Sequence, residues 1–371
     1  MVWRMNKKIC VYAICKNEIK FVDRWLSSLS SESDYIVVLD TGSTDGTYEF
    51  LQKDPRVYKV EQKIITPWRF DTARNESLKL IPEDAEICVV SDFDHIFRPG
   101  WGNELRRLFS EGYEEVYGDI IDYEDNNNQI KRFLSKNVHP NSKDWYWERP
   151  IHEGISYHGN RAAKVIISDT FVIEHHPDRT KSRDGYLTLL EEEYKENSSD
   201  PLCAIYYGCE LCFHGRDEEG LNVFLKANEE CNFSNCPEIA YQVQLNIADS
   251  YRNKKEYELA LSYAEKAESY NIFTRRLYMV RADIYFEMGD YENSKKFMLK
   301  ALDVKFNYRS WVETDDYFNG RCYDQLSLVC YAMGDYLSSI AYCTLALKFK
   351  PNDERLLNNL DYFVKEVMQD E

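Results

Sequence analysis

Asp92 and Asp94 flank a single phenylalanine directly after the apolar run Glu86-Ile87-Cys88-Val89-Val90-Ser91. Side chains along a strand alternate with period two, so both carboxylates should leave its end on the same side. A pair so placed can share a hard divalent cation of the Mg2+ or Mn2+ type, which prefers oxygen ligands and commonly bridges carboxylates to substrate phosphates. Isolated Asp-x-Asp triplets abound in solvated turns; the buried-type strand ahead of this one sets it apart. Asp40 closes a second such run, Tyr35-Ile36-Val37-Val38-Leu39, and opens Thr41-Gly42-Ser43-Thr44-Asp45-Gly46-Thr47. A carboxylate there suits a nucleobase N–H or a ribose hydroxyl, and the two glycines allow a tight turn before a helix start, which favours nearby phosphate. Thr44 and Asp45 are equally good helix caps, and both uses are expected together. Neither a G-x-G-x-x-G nor a G-x-x-x-x-G-K-[ST] phosphate loop is present.

The elements that would position these residues alternate. Ile9 to Ile14, Tyr35 to Leu39 and Glu86 to Ser91 read as strands, separated by helical stretches such as Phe21 to Leu29, and Val165 to Ile173 reads as a later strand. Strands alternating with helices, with polar residues at the strand ends, predict a mostly parallel α/β sheet that binds ligands at its carboxyl edge. The second half is helical and repetitive. Tyr251 and Tyr285 stand 34 residues apart, as do Tyr257 and Tyr291, and Ala267 and Ala301. The pattern returns after 45, with Gly289-Asp290-Tyr291 matching Gly334-Asp335-Tyr336, which fits one unit plus an insertion around Tyr308 to Asp324. A 34-residue period of small and aromatic positions marks tetratricopeptide repeats, and Leu356 to Val367 reads as a capping helix. The polar stretch Asn197-Ser198-Ser199-Asp200-Pro201 divides the halves, giving domains 1–198 and 199–371.

Composition bounds the partners. The 371 residues hold 46 Lys+Arg against 64 Asp+Glu, a net charge of -18, which argues against non-specific nucleic-acid or anionic-membrane binding. Residues 1–180 carry 24 basic and 30 acidic side chains, and residues 181–371 carry 22 and 34, so an anionic ligand belongs in the first half. Cys209 and Cys212 make a C-x-x-C, but no second ligand pair completes a zinc site. No run approaches the ~20 apolar residues of a membrane span, and the expectation is a reduced, cytoplasmic protein.

Four motifs in order, Ile14-Cys15-Lys16-Asn17-Glu18, Leu39 to Thr47, Phe70-Asp71-Thr72-Ala73-Arg74-Asn75-Glu76-Ser77 and Asp92-Phe93-Asp94, resemble family 2 glycosyltransferases of the GT-A fold. A transferase domain followed by tetratricopeptide repeats also resembles the S-glycosyltransferases of sublancin-type bacteriocins, or glycocins. The resemblance implies inverting, metal-dependent transfer of a hexose from a UDP-sugar, with Mn2+ or Mg2+ as cofactor. It implies that Asp40, Asp71, Arg74 and Asp92 contact the nucleotide sugar and that Asp94 binds the metal. Family members often carry Glu after the Asp-x-Asp, where this chain has His95. A late histidine completes the metal's coordination in such enzymes, and His175 is preferred over His176. Lys181 or Arg183 would meet the diphosphate.

An inverting transfer needs a base to take the acceptor's proton. Six of the seven histidines lie between His95 and His176. The segment Trp147-Glu148-Arg149-Pro150-Ile151-His152-Glu153-Gly154 resembles the acceptor side of these sites, with Glu153 the expected base and His152 the alternative. Trp145, Tyr146 and Trp147 offer either a stacking platform for a sugar or core. The repeats carry no catalytic pattern. They offer a surface for a peptide or protein acceptor, or for self-association as a homodimer. Being Tyr-rich and acidic, that surface suits a Lys-containing peptide. A cell-surface or lipid-linked glycan is the alternative acceptor, and a non-catalytic scaffold the alternative to an enzyme.

Overall fold

The computed structural model describes residues 7–124, 129–181, 185–307 and 317–370. The chain forms two compact units, Met1–Leu189 and Leu190–Glu371. The first runs β1 (Ile9–Cys15), α1 (Val22–Leu29), β2 (Tyr35–Asp40), α2 (Thr47–Lys53), β3 (Lys59–Gln62), α3 (Phe70–Leu78), β4 (Ile87–Val90) and β5 (His95–Phe97). It continues through α4 (Trp101–Ser110), β6 (Glu115–Tyr123), β7 (Gln129–Pro140), β8 (Trp145–Glu148), β9 (Gly154–Tyr157), β10 (Val165–His175) and α5 (Tyr186–Glu196), the last crossing the division between units.

Eight strands form one sheet in the order β3-β2-β1-β4-β7-β6-β10-β5, with β8 and β9 as a separate hairpin. Four of the seven pairings are parallel. The three expected strands β2, β1 and β4 lie side by side and parallel, and β3, which the sequence reading did not include, pairs with β2; β7 then enters antiparallel between β4 and β6. β1 is central and almost wholly buried, which is why its sequence reads as an unbroken apolar run rather than an alternating one. One core face gathers Val11, Trp25, Leu26, Val89 and Phe93; the other gathers Tyr12, Leu39, Val90, Trp145 and Trp147.

Trp25 ties this core to the end of β4. Its indole N–H donates to Ser91 Oγ at 2.8 Å, and its ring stacks on Phe93 with centroids 4.2 Å apart. Truncating a fully buried Trp costs about 3–5 kcal/mol, so the segment carrying the two aspartates is anchored by packing.

The second unit is helical: α6 (Pro201–Phe213), α7 (Asp217–Glu230), α8 (Pro237–Asn253), α9 (Tyr257–Glu268), α10 (Arg275–Glu287), α11 (Tyr291–Asp303), α12 (Arg321–Ala332), α13 (Tyr336–Leu347) and α14 (Glu354–Asp370). The Gly-Asp-Tyr repeat has a local cause. Gly289 and Gly334 take left-handed φ of 81° and 77°, and Asp290 and Asp335 cap the next helix by accepting from the backbone of Asn293 and Ser338, each at 3.1 Å. In the preceding hairpin Lys255 holds the same conformation at φ 62° and Glu256 makes no such cap. The spaced tyrosines pack between paired helices: Tyr251 stacks on Tyr263 and Tyr285 on Phe297, both at 5.6 Å. Among the described residues no helix is long and apolar enough to cross a membrane.

Candidate active site

Sheet register builds the first half of the site. A single row runs Asp122, His175, His95 across β6, β10 and β5. Opposed residues on neighbouring strands share a face, with Cβ atoms ~4.5–5.5 Å apart. The register slips between Ile167 and Val172, an irregularity of the kind that re-aims a strand end. His175 stands at the centre of the row. Its Nδ1 lies 3.5 Å from Asp122 Oδ1 and its Nε2 lies 3.3 Å from Asp94 Oδ2. The His95 ring meets it edge-on, with centroids 5.4 Å apart. His176 instead stacks on Tyr123, so only His175 reaches the Asp94 carboxylate.

The two aspartates do not extend a strand. β4 ends at Val90, and a turn closes when the His95 amide donates to the Asp92 carbonyl at 3.1 Å. Phe93 drops into the core, leaving Asp92 and Asp94 outside it. The two carboxylates are placed by a turn around a buried ring rather than by strand alternation, Asp92 against Arg74 and Asp94 against His175.

α3 supplies the second half. Arg74 donates through Nη2 to Asp92 Oδ1 at 2.7 Å and through Nε to Glu153 Oε1 at 3.1 Å. Its neighbour Asn75 pairs with both backbone groups of Trp147, giving 2.8 Å to the carbonyl and 2.9 Å from the amide. Phe70 N–H donates to the Pro150 carbonyl at 2.9 Å. These bonds zip the helix to the β8–β9 hairpin and carry Glu153 to Arg74. The hairpin's turn holds Arg149 and His152 at φ 82° and 52°, a conformation that non-glycine residues keep only where surroundings enforce it. Trp147 is buried, donates to Tyr12 Oη at 3.1 Å and lies 5.3 Å beneath the Arg74 guanidinium.

A cleft of about 390 Å³ results, lined by Arg74, Asp92, His95, Trp147, Glu153 and His175 among others. Burial and neighbouring charge pull its groups in opposite directions. Burial resists ionisation of Asp92, but Arg74 and His95 outweigh it and hold the carboxyl at about 2. Burial likewise resists a charged Asp94, and the His175 contact overcomes it and lowers the pKa. His175 loses solvation too, yet Asp94 and Asp122 push its pKa up. For Glu153 burial wins: the pKa is raised although Arg74 pulls it down.

The donor atoms of Asp94, His95 and His175 lie within 4.8 Å of one another. Two ligands at right angles on one cation, each at about 2.1 Å, stand ~3 Å apart, which is close to the Asp94–His175 separation. Asp94 Oδ1 is buried and without a hydrogen-bond partner among the described residues. A carboxylate with an unsatisfied oxygen beside an imidazole backed by a second carboxylate fits a divalent cation.

Three expected site residues lie apart from the cleft. Asp40 is fully buried, and its Oδ1 accepts from the amides of Gly42 and Ser43 and from Gln62 Nε2, each at 2.9 Å, while Cys15 Sγ approaches Oδ2 at 3.4 Å. It therefore organises its own loop through Oδ1. Asp71 is held in the first turn of α3 by Arg69 through contacts of 3.1 and 2.9 Å. His152 is exposed and faces the Tyr186 ring at 6.5 Å, so Glu153 alone of that pair lines the cleft. Capping of α2 also differs from expectation: Gly46 is the cap residue, Asp45 accepts from Thr47, and the Thr44 amide goes to Asn17 Oδ1. Lys181 pairs with Glu18, and Arg183 lies outside the described residues. Trp145 is core, and Tyr146 stacks on His158 at 4.0 Å.

Asp122 carries no sequence signal, and the motif that contains Asn75 does not announce its pairing with Trp147. Each acts through a strand register or a helix–hairpin pairing that the folded chain alone creates.

A model of glycosyl transferase family 2 matches residues 10–175, and the tetratricopeptide repeat model matches 241–271, 276–308 and 320–353. No curated protein matches the chain. Among solved structures, the anaphase-promoting-complex hetero-tetramer Cut9-Hcn1 aligns with a TM-score of 0.41 at 10% identity, over 49% of this chain and 33% of that one. PilW, a type IV pilus biogenesis factor, gives 0.40 at 15% identity, over 48% and 74%. The tetratricopeptide-repeat protein TTC0263 of Thermus thermophilus gives 0.36 at 19%, over 50% and 90%. This chain spans a third of the length of the first of these. Likeness at this level says nothing of activity or partners. The family matches do: the chain carries a glycosyl transferase family 2 domain over residues 10–175, ahead of tetratricopeptide repeats within 241–353.

Proposed function

We propose that the protein transfers a hexose from a UDP-sugar, with inversion and with a divalent cation, to a peptide or protein acceptor recruited by its repeats, as sublancin-type S-glycosyltransferases do. The observation that carries this reading is the Asp94–His175 pair, with its unsatisfied carboxylate oxygen, beside the cleft that holds Arg74, Asp92 and Glu153. Asp94 and His175 would hold the cation, which when bound neutralises a diphosphate and stabilises it as a leaving group. Arg74, fixed by two carboxylates, adds positive charge without reorganising. Asp92, held ionised by Arg74, accepts hydroxyls of the ribose or the sugar. Glu153 takes the acceptor's proton as that atom bonds to the anomeric carbon, and the bond from that carbon to the diphosphate oxygen breaks, releasing UDP. The acidic repeats favour a basic peptide segment.

Incubation with UDP-glucose and Mn2+ should release UDP slowly even without acceptor, with water taking the sugar. No release together with no nucleotide-dependent shift in melting temperature would overturn the proposal.

A further inference from the structure

Strand β7 supplies one wall of the cleft through Phe133, Ser135, Lys136 and Asn137. Its ladder with β6 is irregular at Asn137. Ser135 and Val138 stand opposite Gly118 and Val116, so three steps along β7 answer two along β6, and Asn137 is the extra residue of a β-bulge. Bulges gather next to active sites, where they re-aim a side chain. Asn137 is 5% exposed, and its Oδ1 is buried with no hydrogen-bond partner among the described residues. No described residue bonds its Nδ2 either. The last torsion of an asparagine is broad, so the carboxamide can turn either atom toward the cleft. Leucine would fill the same volume without leaving an amide oxygen unpaired, so packing does not call for asparagine here. The neighbours on the wall are neutral or engaged. Phe133 keeps 41% of its surface exposed, Ser135 adds a hydroxyl, and Lys136 is paired with Glu115 at 3.3 Å. An exposed ring beside an unengaged carboxamide suits a sugar, which offers C–H faces to the one and hydroxyls to the other.

We infer that Asn137 determines which sugar the site accepts: its carboxamide hydrogen-bonds one hydroxyl of the donor hexose. This rests on the UDP-sugar reading of the site. Inversion requires the anomeric carbon to lie between the diphosphate oxygen that leaves and the acceptor atom that Glu153 deprotonates. The hexose then fills the cleft between the cation site and Glu153, and β7 is a wall of that cleft. A site built to pair with a hydroxyl rejects an analogue lacking it far more strongly than an apolar pocket does, because its own polar group is left unpaired. Asn137 takes no proton and touches no breaking bond; it acts on the binding of the sugar alone.

Asn137→Leu keeps the side chain's size and removes the carboxamide. With Mn2+, no acceptor and the UDP-hexose that the protein cleaves fastest, kcat/KM should fall by about 10- to 100-fold, the range for a hydrogen bond lost at a buried hydroxyl. Affinity for UDP, which lacks the sugar, should be unchanged. The melting temperature should hold or rise, since a buried unpaired oxygen is gone. The decisive readout is a cycle that combines the substitution with monodeoxy analogues of that UDP-hexose. One analogue should lose about tenfold or more with the unsubstituted protein and nothing further with Asn137→Leu, which identifies the hydroxyl. The other analogues should lose equally with both proteins. Asn137→Ser, too short to reach that hydroxyl, should give the same cycle and serves where leucine is not accommodated. Additive losses with every analogue, or a fall in UDP affinity equal to the fall in kcat/KM, make Asn137 a structural residue and overturn the inference while leaving the site's reading intact. Absence of both UDP binding and UDP-hexose cleavage by the unsubstituted protein overturns both.

Discussion

Asp94→Ala should lower UDP-sugar turnover by roughly 10²–10³-fold and remove its dependence on added Mn2+. A cation's stabilisation of transferring charge amounts to several kcal/mol, and each ~1.36 kcal/mol is tenfold in rate. The substitution removes the carboxylate that faces His175 with an oxygen unpartnered among the described residues. It also leaves His175 with Asp122 alone, so the imidazole loses the stronger of the partners that raise its pKa. The fold should persist, because Phe93 and Trp25, not Asp94, anchor the turn. Activity and melting temperature measured on the same preparation separate the two effects. Turnover that keeps its Mn2+ dependence in Asp94→Ala would move the metal site elsewhere.

Glu153→Gln should reduce transfer by about 10²–10⁴-fold with little change in UDP affinity, the range for loss of a general base. Glutamine preserves the shape and still presents an oxygen to Arg74 Nε, so the α3–hairpin junction survives. The pH profile supplies the independent signature. Burial raises the Glu153 pKa; Arg74 from α3 opposes this and Asp92 beyond β4 adds to it. A base must be ionised, so rate should fall as pH drops through a value above the ordinary glutamate pKa of about 4.3. That acid limb should be absent from the residual activity of Glu153→Gln. His152→Ala, altering an exposed ring outside the cleft, should leave rate and limb unchanged. A large loss in His152→Ala with none in Glu153→Gln would reverse the assignment of base.

Much of this was legible in the sequence for local reasons. Buried parallel strands such as β1 advertise themselves as apolar runs, and the Gly-Asp-Tyr turns recur because a left-handed residue and a cap are needed wherever α11 or α13 begins. The Asp-x-Asp stands out because it directly follows such a run. What stayed hidden depends on pairings between distant segments. β7 inserts between β4 and β6, and only the β6–β10 register beyond it aligns Asp122 with His175. Asn75 stands in a motif, but its strand-edge pairing with Trp147 is created only by the fold. Motif position does not report burial either: the carboxylate that closes β2 is enclosed, with its Oδ1 engaged by its own loop and Gln62.

On the proposed function, Arg74, Asp92, Asp94 and His175 together bind a nucleoside diphosphate and a divalent cation. Calorimetric titration of UDP into the protein with Mn2+, and again with EDTA, tests it most directly. The arrangement predicts one site per chain, with affinity at least about tenfold tighter when Mn2+ is present. Equal affinity in both titrations, or no binding in either, would contradict it.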